Sequence, residues 1–244
     1  MSLLFRQPQS AGELLDVSLN VVKANVVLLL GLGIWLLVAL AVLDIVFRLL
    51  PHDSSLQLLL IPLSFGLYSL AEARVSVAAW QLLHREPVDP AQIRALVRGR
   101  LGSVVVGYAL KWLGILIGLV LIVPGVFLTL RWFAVPVANV IEGLGVSEGF
   151  RRSRVLAQGN RRQIFLTIGL LDVGLTMGGI AFTMNLTDSQ TGHQPLWLSA
   201  AGWAFSLVYL PYHGVLSSAL YANARIRNEG YDLEEGLLSA AGAA

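Results

Sequence analysis

The amino-acid sequence predicts an all-α integral membrane protein. Six transmembrane helices form three hairpins, and a short cytoplasmic interfacial helix precedes each hairpin. Three observations predict this. Of the 244 residues, 56% are hydrophobic and only 13% charged. An ordinary soluble domain carries about 25% charged residues, so no large water-soluble domain is expected. Six apolar stretches also reach the ~20 residues that a helix needs to cross a ~30 Å hydrocarbon core. Finally, Lys and Arg crowd into alternate connections.

The elements follow in order. Residues 10–25 form the first polar-faced helix, with Leu15, Leu19 and Val22 on one stripe and Asp16, Asn20 and Lys23 on another. The first span, 26–47, exceeds the roughly 7–15 residues of a cleavable leader's apolar core and is expected to remain as an anchor. The second span, 56–83, is interrupted by Glu72 and Arg74. Asp89-Pro90 then opens the second interfacial helix, 90–100, as an N-cap followed by proline at the first helical position. Its Ile93, Leu96, Val97 and Leu101 share a face, away from Arg94, Arg98 and Arg100. The third span is 101–123. Pro124-Gly125 reads as a tight turn into a short, proline-marked fourth span, 124–141. A third interfacial helix, 147–158, ends before Gly159, a C-terminal cap. The fifth and sixth spans are 164–184 and 196–222. Glu13, Ser18 and Asn25 match Glu148, Ser153 and Asn160 in spacing. This is either a repeated unit of interfacial helix plus hairpin, or chance.

Orientation follows from the cations. Arg6, Lys23, Arg85, Arg94, Arg98, Arg100, Arg151, Arg152, Arg154, Arg161, Arg162, Arg225 and Arg227 all fall on one side, thirteen of the 17 Lys and Arg residues. The other side has Arg48, and residues 185–195 hold no Lys or Arg. The cation-rich side is cytoplasmic, and so are both termini.

Several chemistries are excluded. There is no cysteine, hence no disulfide or thiolate site. No glycine-rich phosphate loop, nucleophile elbow or H-E-x-x-H motif occurs. His52, His84, His193 and His213 are too scattered for a metal site. No enzyme activity, cofactor or metal is expected. The arginines lie beside apolar spans, which suits acidic lipid headgroups and not nucleic acid.

Several passages, in order, are similar to one known family. They are Gln9-Ser10-Ala11-Gly12-Glu13-Leu14-Leu15-Asp16, then Val123-Pro124-Gly125-Val126-Phe127-Leu128 leading to Arg131-Trp132, and Glu142 through Arg152-Ser153 to Gly159-Asn160-Arg161. The last runs from Ala222-Asn223-Ala224-Arg225 to Tyr231-Asp232-Leu233-Glu234. Together they resemble the bacterial membrane domain of glycerophosphoryl diester phosphodiesterases, members of which also occur without a catalytic domain. The resemblance implies a six-helix bacterial inner-membrane protein and no activity. The catalytic His-Arg-Gly signature has only His84-Arg85-Glu86 as its nearest string.

Charges inside spans raise functional questions. Lys111, Arg131 and Asp172 fall near mid-membrane, and His213 lies in the sixth span beside Tyr209, Pro211 and Tyr212. They would line a polar cavity for an anion or lipid headgroup, or form an internal ion-pair set. Glu72, Arg74 and Asp44 are assigned to snorkelling or local pairing. Arg131 stands between Pro124 and Pro136, in a broken helix lining a site or in a packed kink. Gly114 with Gly118, and Gly174 with Gly178, serve packing within the monomer or a homo-oligomer interface. Arg151, Arg152, Arg154, Arg161 and Arg162 set orientation, and they are also candidates to bind anionic lipid or a cytoplasmic partner. The acidic tail 231–235 would fold back on them.

Two functions are expected. One is a non-enzymatic protein that transports or accommodates a small anionic or lipid-like solute. The other is a scaffold or accessory subunit that recruits a membrane or cytoplasmic partner, with a place in phospholipid turnover suggested by the family's fusions. The first predicts a hydrated centre and the second a dry bundle.

Overall fold

The computed structural model describes residues 4, 5, 7–50, 55–175, 178 and 195–231, and among these it contains helices and no strands. Local signals start the helices. α1 (Ala11–Ala24) opens with a capping box: Ser10 N donates to Glu13 Oε2 at 2.6 Å, and Glu13 N donates to Ser10 Oγ at 3.3 Å. Its inward stripe is Leu14, Ser18 and Val21, one position before the expected one, and Leu19 is exposed. Ser18 can be buried because its hydroxyl donates to Leu14 O, so a stripe judged by apolarity alone is misplaced. α2 (Val26–Leu49) and α3 (Ser55–Leu83) follow. In α4 (Pro90–Gly99), Asp89 accepts from Ala91 N at 2.8 Å, and Ile93 and Val97 are buried.

The next hairpin departs from expectation. α5 (Leu101–Leu119) ends before residue 123, and the turn is 120–122, with Ile122 at φ 58°. Pro124 is therefore an opening residue of α6 (Val123–Arg131) and not the turn, a position where its missing N–H costs nothing. Gly118 and Gly125 are where α5 and α6 meet. A Cβ on Gly118 would stand 2.8 Å from Gly125 N and 2.9 Å from its Cα, so both glycines serve packing within the monomer. Gly114 does the same, under the Trp132 ring. A Cβ on Gly174 or Gly178 would meet nothing within 4 Å.

The expected fourth span is two short helices, α6 and α7 (Val135–Ile141), broken at 132–134. Pro136 at the start of α7 cannot supply a bond across the break. Ser153 of α8 (Val146–Ala157) fills it: its hydroxyl donates to Arg131 O at 3.0 Å and accepts from Ala134 N at 3.1 Å. After Gly159 (φ 79°), α9 begins at Arg161–Ile164, passes through a π-helical turn at Phe165–Gly169 and runs on as helix to 175. Apart from residue 178, the remainder of the expected fifth span lies outside the described residues, as do the loop 185–194, His52, His193 and the tail beyond Tyr231. α10 (Leu196–Glu229) is 34 residues long and ends at Gly230 in a left-handed cap.

The matched positions of α1 and α8 have matched roles. Glu13 and Glu148 each accept from the backbone N–H that precedes their helix. Ser18 and Ser153 are fully buried. Asn25 and Asn160 each donate back to the carbonyl four residues earlier.

α10 and α3 form the centre. α10 packs on α1, α2, α3, α7 and α8, and α3 also packs on α2, α5 and α7. Among the described residues, three helical segments are long and apolar enough to cross a membrane: Val26–Leu49, Leu101–Leu119 and, taken through its break, Val123–Ile141. α3 has 29 residues and α10 has 34, but both carry buried polar side chains, among them Ser69, Glu72, Ser76, His213, Ser217, Ser218 and Asn223. Large apolar side chains face outward instead, including Val27, Val38, Ile117 and Val208. Polar inside and apolar outside is the arrangement of a helix bundle bathed in hydrocarbon.

Candidate functional site

Four helices bring ionisable side chains to one buried place. α3 and α10 approach closely at Gly214, where a Cβ would be 2.5 Å from Val75 Cγ1, and Ser218 Oγ bonds to Ser76 O at 3.1 Å. That contact sets Glu72 opposite His213, with His213 Nδ1 3.5 Å from Glu72 Oε1. On the other side of the ring, His213 Nε2 lies 3.2 Å from Asp172 Oδ1 but is misaligned for a hydrogen bond. Asp172 follows the π-helical turn of α9, which resets the facing of the residues after it. Tyr209, one turn before His213, donates to Asp172 Oδ1 at 2.7 Å.

Lys111 of α5 completes the set. It is 1% exposed and close enough to Asp172 and His213 for its charge to act on both, yet it forms no hydrogen bond or ion pair among the described residues. Asp172 Oδ2 is likewise buried without a donor. Two carboxylates, one ammonium and one imidazole sum to zero when His213 carries its proton, the balance a buried ionic group requires. Among the described residues no three His, Asp or Glu are arranged to hold a metal ion.

A groove of about 350 Å³ flanks this set between α2, α3 and α5, lined by Leu40, Ser64, Phe65, Tyr68, Tyr108, Trp112 and Leu116. Tyr68 stands one helical turn from Glu72, and Tyr108 and Trp112 bracket Lys111. Lys111 Nζ is 5.7 Å from the centre of the Trp112 ring, and Trp112 Nε1 is buried without an acceptor. Two buried donors thus stand behind the groove, Trp112 being one of its lining residues and Lys111 that residue's chain neighbour.

The sequence-predicted residues divide. Lys111, Asp172 and His213 come together. Arg131 does not join them: it sits in a separate pocket of about 170 Å³ with Phe127, Arg154 and Arg161, its guanidinium carbon 5.8 Å from the Phe127 ring centre. Glu72, expected to snorkel or pair locally, is 2% exposed and belongs to the central set. The signal for it was depth. Counted from the cation-rich ends of their helices, Glu72 and Lys111 lie about ten residues in, or ~15 Å. Asp44 pairs locally, with Arg48 at 2.8 Å. Arg74 lies over the Trp35 ring at 4.5 Å.

The other arginines also separate. Arg152 is occupied: it forks onto Glu142, with contacts of 2.7–3.1 Å, and onto Glu229. Arg225 reaches Glu229 at 3.2 Å, and Tyr221 bonds to Glu142. The Glu229 hydrogen bond, against the opposing pull of burial, raises the Arg152 guanidinium above its ordinary value. Burial pushes Glu229 up, but Arg152 and Arg225 outweigh it and hold its carboxyl below the ordinary value. Arg151, Arg154, Arg161 and Arg162 stay exposed. Of the expected acidic tail, Tyr231 alone is described, stacked on Arg225 at 3.8 Å.

No family model, curated protein or solved structure matches the chain.

Proposed function

We propose that this chain is a non-enzymatic protein of the bacterial inner membrane that crosses it six times, both termini cytoplasmic, and accommodates an anionic, lipid-like solute in the groove beside Lys111. The crossing number draws support from length. At ~1.5 Å per residue, α3 and α10 each exceed a ~30 Å core, and their polar residues point inward. The cation-rich ends of α1, α3, α8 and α10 meet through Leu4 N to Leu83 O, Gln9 N to Asn223 Oδ1 and Asn160 to Asn228. Arg48 and Ser199 meet at the other end. The resemblance to the membrane domain of glycerophosphoryl diester phosphodiesterases belongs to the same reading.

One observation carries the solute: Lys111 Nζ and Trp112 Nε1 are donors without acceptors, beside an apolar groove. A purely structural ion-pair core would give its lysine a hydrogen-bond acceptor, because a buried donor left without one is costly. An amphiphile with an acyl chain along Leu40, Phe65 and Leu116 and an anionic group at Lys111 satisfies both donors. The lining residues belong to α2, α3 and α5, so an amphiphile would enter from the side of the bundle.

Photo-cross-linking tests this. The protein, in nanodiscs containing phosphatidylglycerol with a diazirine on its acyl chain, should cross-link preferentially at residues 64–68 and 108–116. Lys111→Gln should reduce that labelling severalfold while leaving labelling of the α2 outer face unchanged. Uniform labelling of all lipid-facing helices, indifferent to Lys111→Gln, would sink the reading and favour a partner-recruiting scaffold.

A further inference from the structure

We infer that a second pocket, between α3, α4 and α5 at the cation-rich end, binds the phosphate group of an anionic ligand through Arg74, Arg94 and Arg98. It is independent of the groove beside Lys111. Its volume is about 460 Å³, and no acidic residue lines it.

The three arginines converge for separate reasons. Arg94 and Arg98 are four apart on α4 and so share a face, exposed, while the neighbouring Ile93 and Val97 anchor the helix in the core. Arg74 stands more than two turns inside the end of α3, its guanidinium laid over Trp35 at 4.5 Å. The pocket thus runs from the plane of α4 inward, and a fixed guanidinium plane forms its floor. Arg74 Nε is buried and has no acceptor.

Two neighbouring arginines of the same end are partnered. Arg100 donates to the Val140 and Ile141 carbonyls, and Arg152 holds two carboxylates. Arg74, Arg94 and Arg98 receive no carboxylate or carbonyl among the described residues. Three like charges around one cavity call for an anion. The planar fork of a guanidinium matches phosphate oxygens in pairs, which favours phosphate over a halide. The phosphate belongs either to a phospholipid of the adjoining leaflet or to a small soluble phosphate.

Native mass spectrometry of the full chain, released from nanodiscs of mixed phosphatidylglycerol and phosphatidylcholine, reads the lipid source. Thermal unfolding in neutral detergent, with and without inorganic phosphate, reads the soluble source. The exposed pair is changed together, Arg94→Gln with Arg98→Gln, and Lys23→Gln with Arg85→Gln, two exposed cations of the same end, serves as the control. Losing two cations near the surface should weaken retained phosphatidylglycerol about thirtyfold, with the control unchanged. Lipid retention lost in the pocket variant, with no effect of phosphate, assigns a phospholipid. A phosphate-dependent rise in melting temperature that the pocket variant loses assigns a soluble phosphate. Arg74→Lys, which keeps the charge but loses the fork, should reproduce part of either loss. If both variants behave as the unaltered protein does in both assays, the site is overturned.

Discussion

Arg152 holds two carboxylates from distant parts of the chain, Glu142 beyond the end of α7 and Glu229 at the end of α10. Because Glu229 is held below its ordinary value of 4.5, its pairing adds stability that is full above that value and is lost as pH falls through the lower folded-state value. Arg152→Gln should lower the melting temperature at neutral pH, and the gap from the unaltered protein should narrow as pH is taken below about 4.5. Glu13 is also held low, by the Ser10 backbone N–H, but it does not touch Arg152 and cancels in the difference. A gap that stays constant with pH would show that the arginine acts through packing alone. At this scale the sequence was informative about charge and depth but not about partners. Lys111, Asp172 and His213 were legible because a charge within an apolar run stands out. Glu72 was displaced toward the surface because only helix packing at Gly214 reveals that His213 faces it. Arg131 shared the expected depth and still fell elsewhere, since the break after α6 turns it toward α8 and α9.

Helix starts were legible wherever the signal is local. Ser10 with Glu13, and Asp89 with Pro90, mark α1 and α4 through bonds made within four residues. The break between α6 and α7 was not, because the group that stabilises it is Ser153, from another helix. The turn at 120–122 is hidden for a related reason: Pro-Gly signals a turn in most contexts, yet here the positive-φ residue is Ile122 and the glycine is needed for the α5–α6 contact. Ser153→Ala tests the element directly. It removes the acceptor for Ala134 N and the donor to Arg131 O while creating almost no cavity. Leaving such buried groups unpaired costs about 1–3 kcal/mol each. The expected loss is therefore about 2–6 kcal/mol in denaturant unfolding. Ser18→Ala, which removes only a bond to a carbonyl already used within its helix, should cost about 1 kcal/mol or less. Equal losses at the two serines would mean that the break is held by the helices around it and not by the hydroxyl.

The bundle as a whole is polar at its centre and apolar at its rim, and its ends differ in what ties them together. At the cation-rich end, Gln9 is a hub: its N–H donates to Asn223, and its carbonyl accepts from Gln163 and from Arg227 at 2.8 Å each. This joins the segment before α1 to α9 and α10. At the other end, the described tie across helices is Arg48 to Ser199. Such an asymmetry fits a membrane in which one end meets acidic headgroups, and it makes sidedness measurable. The sequence holds no cysteine, so single cysteines can be placed freely. Lys23 and Gln158 are exposed near the hub end, whereas Leu49 and Val120 are about four-fifths exposed at the opposite end. With six crossings and cytoplasmic termini, a membrane-impermeant thiol reagent should label Leu49→Cys and Val120→Cys in intact spheroplasts. It should label Lys23→Cys and Gln158→Cys only in inverted vesicles. Lys23 and Leu49 flank α2, while Val120 and Gln158 lie on either side of the α6–α7 segment. If Val120→Cys and Gln158→Cys label from the same side, the broken pair α6–α7 does not cross. It would then be a re-entrant hairpin held inside the bundle by Ser153.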